Sequence, residues 1–428
     1  MTTPARKGSL VIGGGLLIAL VTAYFGTQCV AGFERLGGQK DYFSGEFTGA
    51  WAHYRAALSL GGDRETLEID MVETLLFGLD QQALGVKVAL PLPVDDAVTA
   101  ARTLLARQLS AAPYKAYYWS LVSDLNLYEA RRERQRTPLD LSALSENPVD
   151  NLLPHEGVAI AALGEAARRE SSNYVYEDLL AEQYLEWGIG SQAVGHVRKS
   201  LELYPVLGGH SYLSRPPVEE AIVNAALAGL DAATAAESMI PNELIECDAG
   251  SLLLAQGRSD EAVGYFKRAL ARTPGLPEAL YRYGQASYLI KDYQEADEML
   301  SRAAPYFRDS SSLYYFLGLT RMQEGKKSEA IEALRTAREI DPSNIEMFHA
   351  LARVLESEGM TKDAERQFMA AAHINPGRQE AWTALLDFYA RHAELARDAR
   401  RTCTHLEGLK IDPQVYKQRC ESLMKEGS

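Results

Sequence analysis

Residues 243–276 read ELIECDAGSLLLAQGRSDEAVGYFKRALARTPGL, and residues 311–344 read SSLYYFLGLTRMQEGKKSEAIEALRTAREIDPSN. Aligned with 277–310 and 345–378, they share a pattern that advances by 34 residues. A small residue recurs at Gly250, Gly284, Gly318 and Ala352. Alanine recurs at Ala262, Ala296, Ala330 and Ala364, and again at Ala269, Ala303, Ala337 and Ala371. Large apolar residues keep the register at Phe266, Leu300, Leu334 and Phe368, and a helix-stopping proline follows at Pro274, Pro342 and Pro376, with Arg308 the exception. A period of this length marks a supersecondary unit that cannot bury its apolar face alone and must stack on copies of itself.

The small residue of a first helix, two alanines of a second and a closing proline resemble the tetratricopeptide repeat. Four regular units span 243–376. The resemblance implies an all-α fold, a right-handed solenoid of antiparallel helix pairs. Beyond Pro376, Trp382, Leu385 and Tyr389 begin a fifth, degenerate repeat in 377–428. Asp398 and His405 stand where its alanines belong, which suits a terminal capping unit. Upstream, 156–242 carries a weakened version at Leu180, Ala181, Tyr184, Ala193, Val197 and Pro205. Two short helices, 218–228 and 232–239, are expected to follow. Region 34–136 reads as helical, with a helix over Phe43–Leu60, a loop or short extended segment at 86–93, and one degenerate unit around Ala101, Leu105, Pro113 and Trp119. Its last helix runs out in the basic cluster Arg131–Arg136, either a docking spot or a solvated helix end. Between these regions, 137–155 contains three prolines and reads as a linker or a long insertion loop.

The start of the chain has a different character. The 26 residues between Lys7 and Glu34 carry no charge, more than the roughly 20 that a helix needs to cross a bilayer core. The expected arrangement is a cytoplasmic amino terminus at 1–7, a transmembrane helix at 8–33 and a body on the far side, because Arg6 and Lys7 flank the span. That places the chain in a bacterial inner membrane, single-pass, with its body in the periplasm. A cleaved signal peptide is the competing reading, with candidate cleavage sites after Ala23 or Ala31. Gly15, Ala19, Ala23 and Thr27 fall four apart on one face, a stripe that suits a transmembrane helix partner. A lone anchor is the alternative.

A balance of 44 basic against 58 acidic side chains gives a net charge of −14, which argues against a nucleic-acid partner. Of the four cysteines, Cys403 and Cys420 stand about equally far from the Ile411-Asp412-Pro413 turn. Antiparallel helices there would bring them together as a disulfide in an oxidising compartment; two unpaired thiols are the alternative.

For function, the resemblance points to the concave face lined by first-helix positions. Counted from Glu243, the fifth position gives Tyr281, Tyr315 and His349; the ninth gives Gln285, Leu319 and Arg353; the twelfth gives Tyr288 and Met322. Such amphipathic side chains suit a protein or peptide segment held in the groove, although tyrosines that pack within the repeats give the same pattern. The Lys and Asn carboxylate clamp of cytosolic cochaperones is missing. Neither metal-ligand spacing nor nucleophile motifs are present, so no cofactor and no enzymatic activity are expected. Gly325-Lys326 with Ser328 resembles a phosphate loop, but falls between the helices of a repeat and reads as a turn. The expectation is a scaffold or assembly factor for an envelope complex, in polysaccharide export, pilus or secretion machinery, or bioenergetics. A released periplasmic peptide-binding or chaperone module and a structural subunit of a large membrane complex are the alternatives.

Overall fold

In a computed structural model the described residues are 26–136, 152–214, 218–236, 238–374, 376–408 and 413–426. They form twenty α-helices with short 3-10 turns, and no strand occurs among them. The chain divides into two compact units at residues 229 and 230.

The first unit begins with α1 (26–43) and continues with α2 (Phe47–Ser59), α3 (Arg64–Ala83), α4 (Val94–Ala111), α5 (Ala116–Arg136), α6 (Pro154–Arg169), α7 (Tyr174–Glu186) and α8 (Gly190–Leu203). Most of the expected transmembrane segment, including Gly15, Ala19 and Ala23, lies outside the described residues. Thr27 lies in α1, and among the described residues no helix is long and apolar enough to cross a membrane. The end of that segment belongs to the helical body instead. Ala31 is buried with Ala50, Tyr54, Ala57 and Leu67, and the Gln28 side chain donates to the Gly61 carbonyl at 2.7 Å. A helix expected from Phe43 onward is interrupted, because Gly45 takes φ +80° and separates α1 from α2. Phe43 therefore ends α1 and is exposed, while Phe47 and Tyr54 are buried.

Helices α5 and α6 pack closely against each other. The proline-bearing stretch 137–151 lies outside the described residues, and the helices on either side of it form one pair. Arginines of the basic cluster pair with acids of other helices: Arg131 with Asp80 and Arg132 with Asp95 at the surface, while Arg134 grips both oxygens of buried Glu156. A single helix, α9 (Glu220–Ala235), replaces the two short ones expected between 218 and 239.

The second unit is built from α10 (Asn242–Ala255), α11 (Ser259–Arg272), α12 (Pro277–Leu289), α13 (Tyr293–Ala303), α14 (Ser311–Gln323), α15 (Lys327–Ile340), α16 (Ile345–Ser357), α17 (Thr361–Ile374), α18 (Gln379–Arg391), α19 (Ala396–Gly408) and α20 (Pro413–Glu426). Each period is one antiparallel pair. All eight periodic alanines of the second helices are fully buried, since only a methyl group lets neighbouring backbones approach so closely. The turn inside each pair needs a left-handed residue, supplied by Gly257, Gly325 and Gly359 with φ between +73° and +78°. Gly325 is thereby part of an interhelical turn and not of a phosphate loop. At the end of the unit Cys403 and Cys420 form a disulfide with Cα atoms 5.7 Å apart, tying α19 to α20.

Candidate peptide groove

Successive first helices of the second unit touch one another, α10 with α12, α12 with α14 and α14 with α16, without comparable contact between successive second helices. The first-helix layer is therefore the tighter, inner one, and residues on its free side line a concave face.

The candidate residues divide by depth along this face. Tyr281 and Gln285, one turn apart on α12, are buried and satisfy each other, the Gln285 amide donating to the Tyr281 hydroxyl at 2.9 Å. Phe307 covers the Tyr281 ring at 5.4 Å between centroids. These two pack within the repeats, and the accessible part of the face begins one turn later. There Tyr288 meets Phe316 at 5.6 Å, Phe316 meets Tyr315 at 5.9 Å, and Tyr315, Leu319 and Met322 lie half-buried against the core. Burial raises both the Tyr288 and Tyr315 hydroxyls above the ordinary tyrosine value, so each remains a neutral hydrogen-bonding group. Phe316 is absent from the positions that sequence reasoning selects, although the aromatic run Tyr314-Tyr315-Phe316 could have signalled it.

Farther along, His349 is buried on α16 and its Nε2 has no hydrogen-bond partner. Burial holds its imidazole below the ordinary histidine value. Glu346 opposes this lowering, and Arg353 and Arg378 reinforce it. Arg353 is exposed one turn beyond His349. Charges at the neighbouring positions are already matched: Glu356 accepts from Arg391 at 2.9 and 3.0 Å and lies 3.0 Å from His392, and Asp387 accepts from Arg419 at 2.6 Å.

The first unit holds a cluster with the residue types of a hydrolytic triad: Asp178, Ser200 and His210. Its geometry does not support that chemistry. Ser200 and Asp178 both face the same ring nitrogen of His210, at 3.1 and 2.5 Å, while the other nitrogen meets the Tyr204 carbonyl at 2.9 Å. Ser200 and His210 are also fully buried, leaving a substrate no approach. The cluster pins the 207–214 segment to α7. Among the described residues no group of His, Cys, Asp and Glu is arranged to hold a metal ion.

Family comparisons agree with the helix-pair register. Two tetratricopeptide-repeat models match, one over 253–318 and 321–387 and the other over 292–345. The chain carries tetratricopeptide repeats in an all-helical array, a type of module that is generally non-catalytic and mediates protein interactions. A curated relative, the TPR repeat-containing protein YpiA of Bacillus subtilis (strain 168), is 28% identical over 132 residues, 30% of this chain and 31% of its own. The match thus spans about a third of that relative's length. Among solved structures, MamA is 25% identical with a TM-score of 0.33, covering 35% of this chain and 81% of its own. The structure of YrrB, a TPR protein with an unusual peptide-binding site, is 21% identical with a TM-score of 0.32, covering 39% and 92%.

Proposed function

We infer that this chain is a non-enzymatic interaction scaffold whose second unit holds an extended segment of a protein partner along its first-helix face. The observation that carries this reading is the half-buried run Tyr288, Phe316, Tyr315, Leu319 and Met322, which two successive first helices leave uncovered. Aromatic and thioether side chains already fixed by packing lose little further freedom on binding, which makes such a surface efficient at gripping a peptide. A photo-crosslinking amino acid placed at Tyr315 or Met322 tests it in native cells. Discrete crosslinks from those positions, absent from exposed Arg335 on α15, support the groove; an identical pattern from all three sites rejects it.

The placement we propose is a tether in a bacterial inner membrane with the repeats in the periplasm, serving an envelope complex. Two observations support it: the charge-free sequence between Lys7 and Glu34 behind Arg6 and Lys7, and the Cys403–Cys420 disulfide, a bond at home in oxidising compartments. Membrane fractionation with amino-terminal sequencing separates the alternatives. A mature start after Ala23 or Ala31 replaces the tether with a released periplasmic module.

A further inference from the structure

We propose that α1 is a self-association seam, on which the α1 helix of a second copy of this chain packs in parallel as a short two-stranded coiled coil. The seam lies in the first unit and is independent of the groove in the second. Only its parallel sense rests on the membrane placement proposed above, which gives every copy the same orientation.

The helix has two faces, and each repeats every seven residues. Toward the body, Ala31 packs among Tyr54, Ala57 and Leu67, and Gly38 is buried where the Tyr54 ring leaves no room for a Cβ. Gln28, Arg35 and Tyr42 reach inward to the Gly61 carbonyl, Asp70 and the Phe77 ring. Glu34 and Asp41 flank His53 at 2.6 and 3.7 Å. The opposite side carries Gly26, Cys29, Phe33, Leu36, Lys40 and Phe43, alternately three and four residues apart, and every one of them is exposed. That spacing is the heptad of a coiled coil, with Gly26, Phe33 and Lys40 at its a positions and Cys29, Leu36 and Phe43 at its d positions.

Three features favour another α1 over other occupants. Phe33 is 74% exposed, Leu36 62% and Phe43 83%, so three large apolar side chains stand open along one line. The residues flanking that line, Val30 and Gly37 on one side and Gly32 and Gln39 on the other, carry no charge, and two copies meet there without repulsion. A helix lying in a membrane interface would instead carry lysines and arginines beside its apolar face. The polar member of the seam, Lys40, stands at an a position, where one polar residue sets the register of a two-stranded coil at some cost in stability. Because α1 is already held on the body by its other face, pairing orders little that is not already ordered.

Cys29 makes the seam testable in the full chain, solubilised in a mild detergent. Its thiol is exposed, whereas Cys247 is buried and Cys403 is bonded to Cys420. A short bismaleimide should join two copies through Cys29, and light scattering should give twice the chain mass. In a Cys29→Ser background, Leu36→Cys at the next d position should restore the crosslink. Lys87→Cys, exposed between α3 and α4, should not. Phe33→Glu should weaken association by about 100-fold. Lys40→Leu should tighten it by about tenfold, an effect of opposite sign that a folding defect would not produce. A monomer at every concentration, or equal crosslinking from Leu36→Cys and Lys87→Cys, overturns the seam. So does a Cys29 crosslink to a different protein, or quenching of a fluorophore on Cys29 by spin-labelled lipid in nanodiscs without self-crosslinking, which would assign the face to another partner or to the bilayer. A crosslink that forms only between Cys29 and Lys40→Cys overturns the parallel sense. None of these outcomes bears on crosslinking from Tyr315, so the groove stands or falls separately.

Discussion

Gly318 of α14 lies against Leu334 of α15 so closely that a Cβ at 318 would stand 2.5 Å from the Leu334 Cγ. The same relationship holds one period earlier, where a Cβ at Gly284 would stand 2.6 Å from the Leu300 Cγ. Glycine is thus required by packing inside these helices despite its poor helix propensity. Gly318→Val should destabilise the second unit by about 3 kcal/mol, the upper end of the overpacking range. Gly264 on α11, with nothing within 4 Å of a Cβ, should respond in the opposite sense, Gly264→Ala gaining about 1 kcal/mol from helix propensity. Denaturant melts of both variants check the pair, and equal effects would contradict the assigned packing.

Lys291 occupies the turn position that glycine holds in the other three units, with φ +68°. It is the one non-glycine residue with positive φ among the described residues. A side chain in this left-handed region carries strain of about 1 kcal/mol. Lys291→Gly should therefore raise the melting temperature slightly while leaving the neighbouring helices unchanged; a lower melting temperature would show that the turn is not strained.

The 34-residue period made the helix pairs of the second unit legible, because spacing alone identifies which alanines meet a neighbouring backbone. Depth on the groove face was not legible. Tyr281, Tyr315 and His349 share one repeat position, yet Tyr281 is buried under Phe307 and Tyr315 is half-open, a difference set by side chains from other helices. The stretch after Arg136 was ambiguous for a related reason. Its prolines mark a break in helix but cannot say whether the helices on either side pack together. The partners of Arg131, Arg132 and Arg134 lie 22 to 51 residues away in sequence, beyond the reach of any local pattern.

The ion pair between Arg134, in the last turn of α5, and Glu156, in the first turn of α6, joins the two helices at their sequence-adjacent ends. Glu156 has a side chain only 2% exposed and also accepts from the Leu153 backbone at 2.8 Å. Arg134→Ala would leave that carboxylate buried without its cation, at a cost of about 3 kcal/mol. Faster proteolysis at the junction of α5 and α6 should accompany the loss. Arg134→Ala combined with Glu156→Leu should recover much of it, because the buried charge is then gone as well. Failure of the double variant to recover would point to a role other than charge compensation.

Asp297 on α13 links one repeat to the next by accepting from Arg321 at 2.9 Å and Lys326 at 2.6 Å. Burial raises the Asp297 carboxyl, but hydrogen bonds from Lys326 and Arg321 outweigh burial and hold it below the ordinary aspartate value. A depressed folded-state value means that this contribution is present above the unfolded pKa and is lost as pH falls through the folded one. For a partly exposed pair it is worth on the order of 1 kcal/mol. Melting temperatures of the parent chain and Asp297→Asn should therefore differ at pH 7, with a difference that shrinks only as pH falls below about 4 toward the lowered folded-state value. A difference undiminished between pH 7 and about pH 3 would assign the effect to packing.

The Cys403–Cys420 bond, 17 residues apart in sequence, should stabilise the closing helices locally by about 3 kcal/mol. Because stability in a repeat array is passed between neighbours, the effect should fade along the chain away from the bond. Helix α20 packs on α18, burying Tyr416, Cys420 and Leu423 in the same core as Trp382 and Tyr389. Reduction, or Cys403→Ser, should accelerate amide exchange in α19 and α20 by about 100-fold, have a smaller effect in α18 and leave α10 to α13 unchanged. Uniform acceleration through all these helices would mean that the second unit unfolds as a single cooperative block. No acceleration in α20 would mean that packing on α18 holds the helix without the bond.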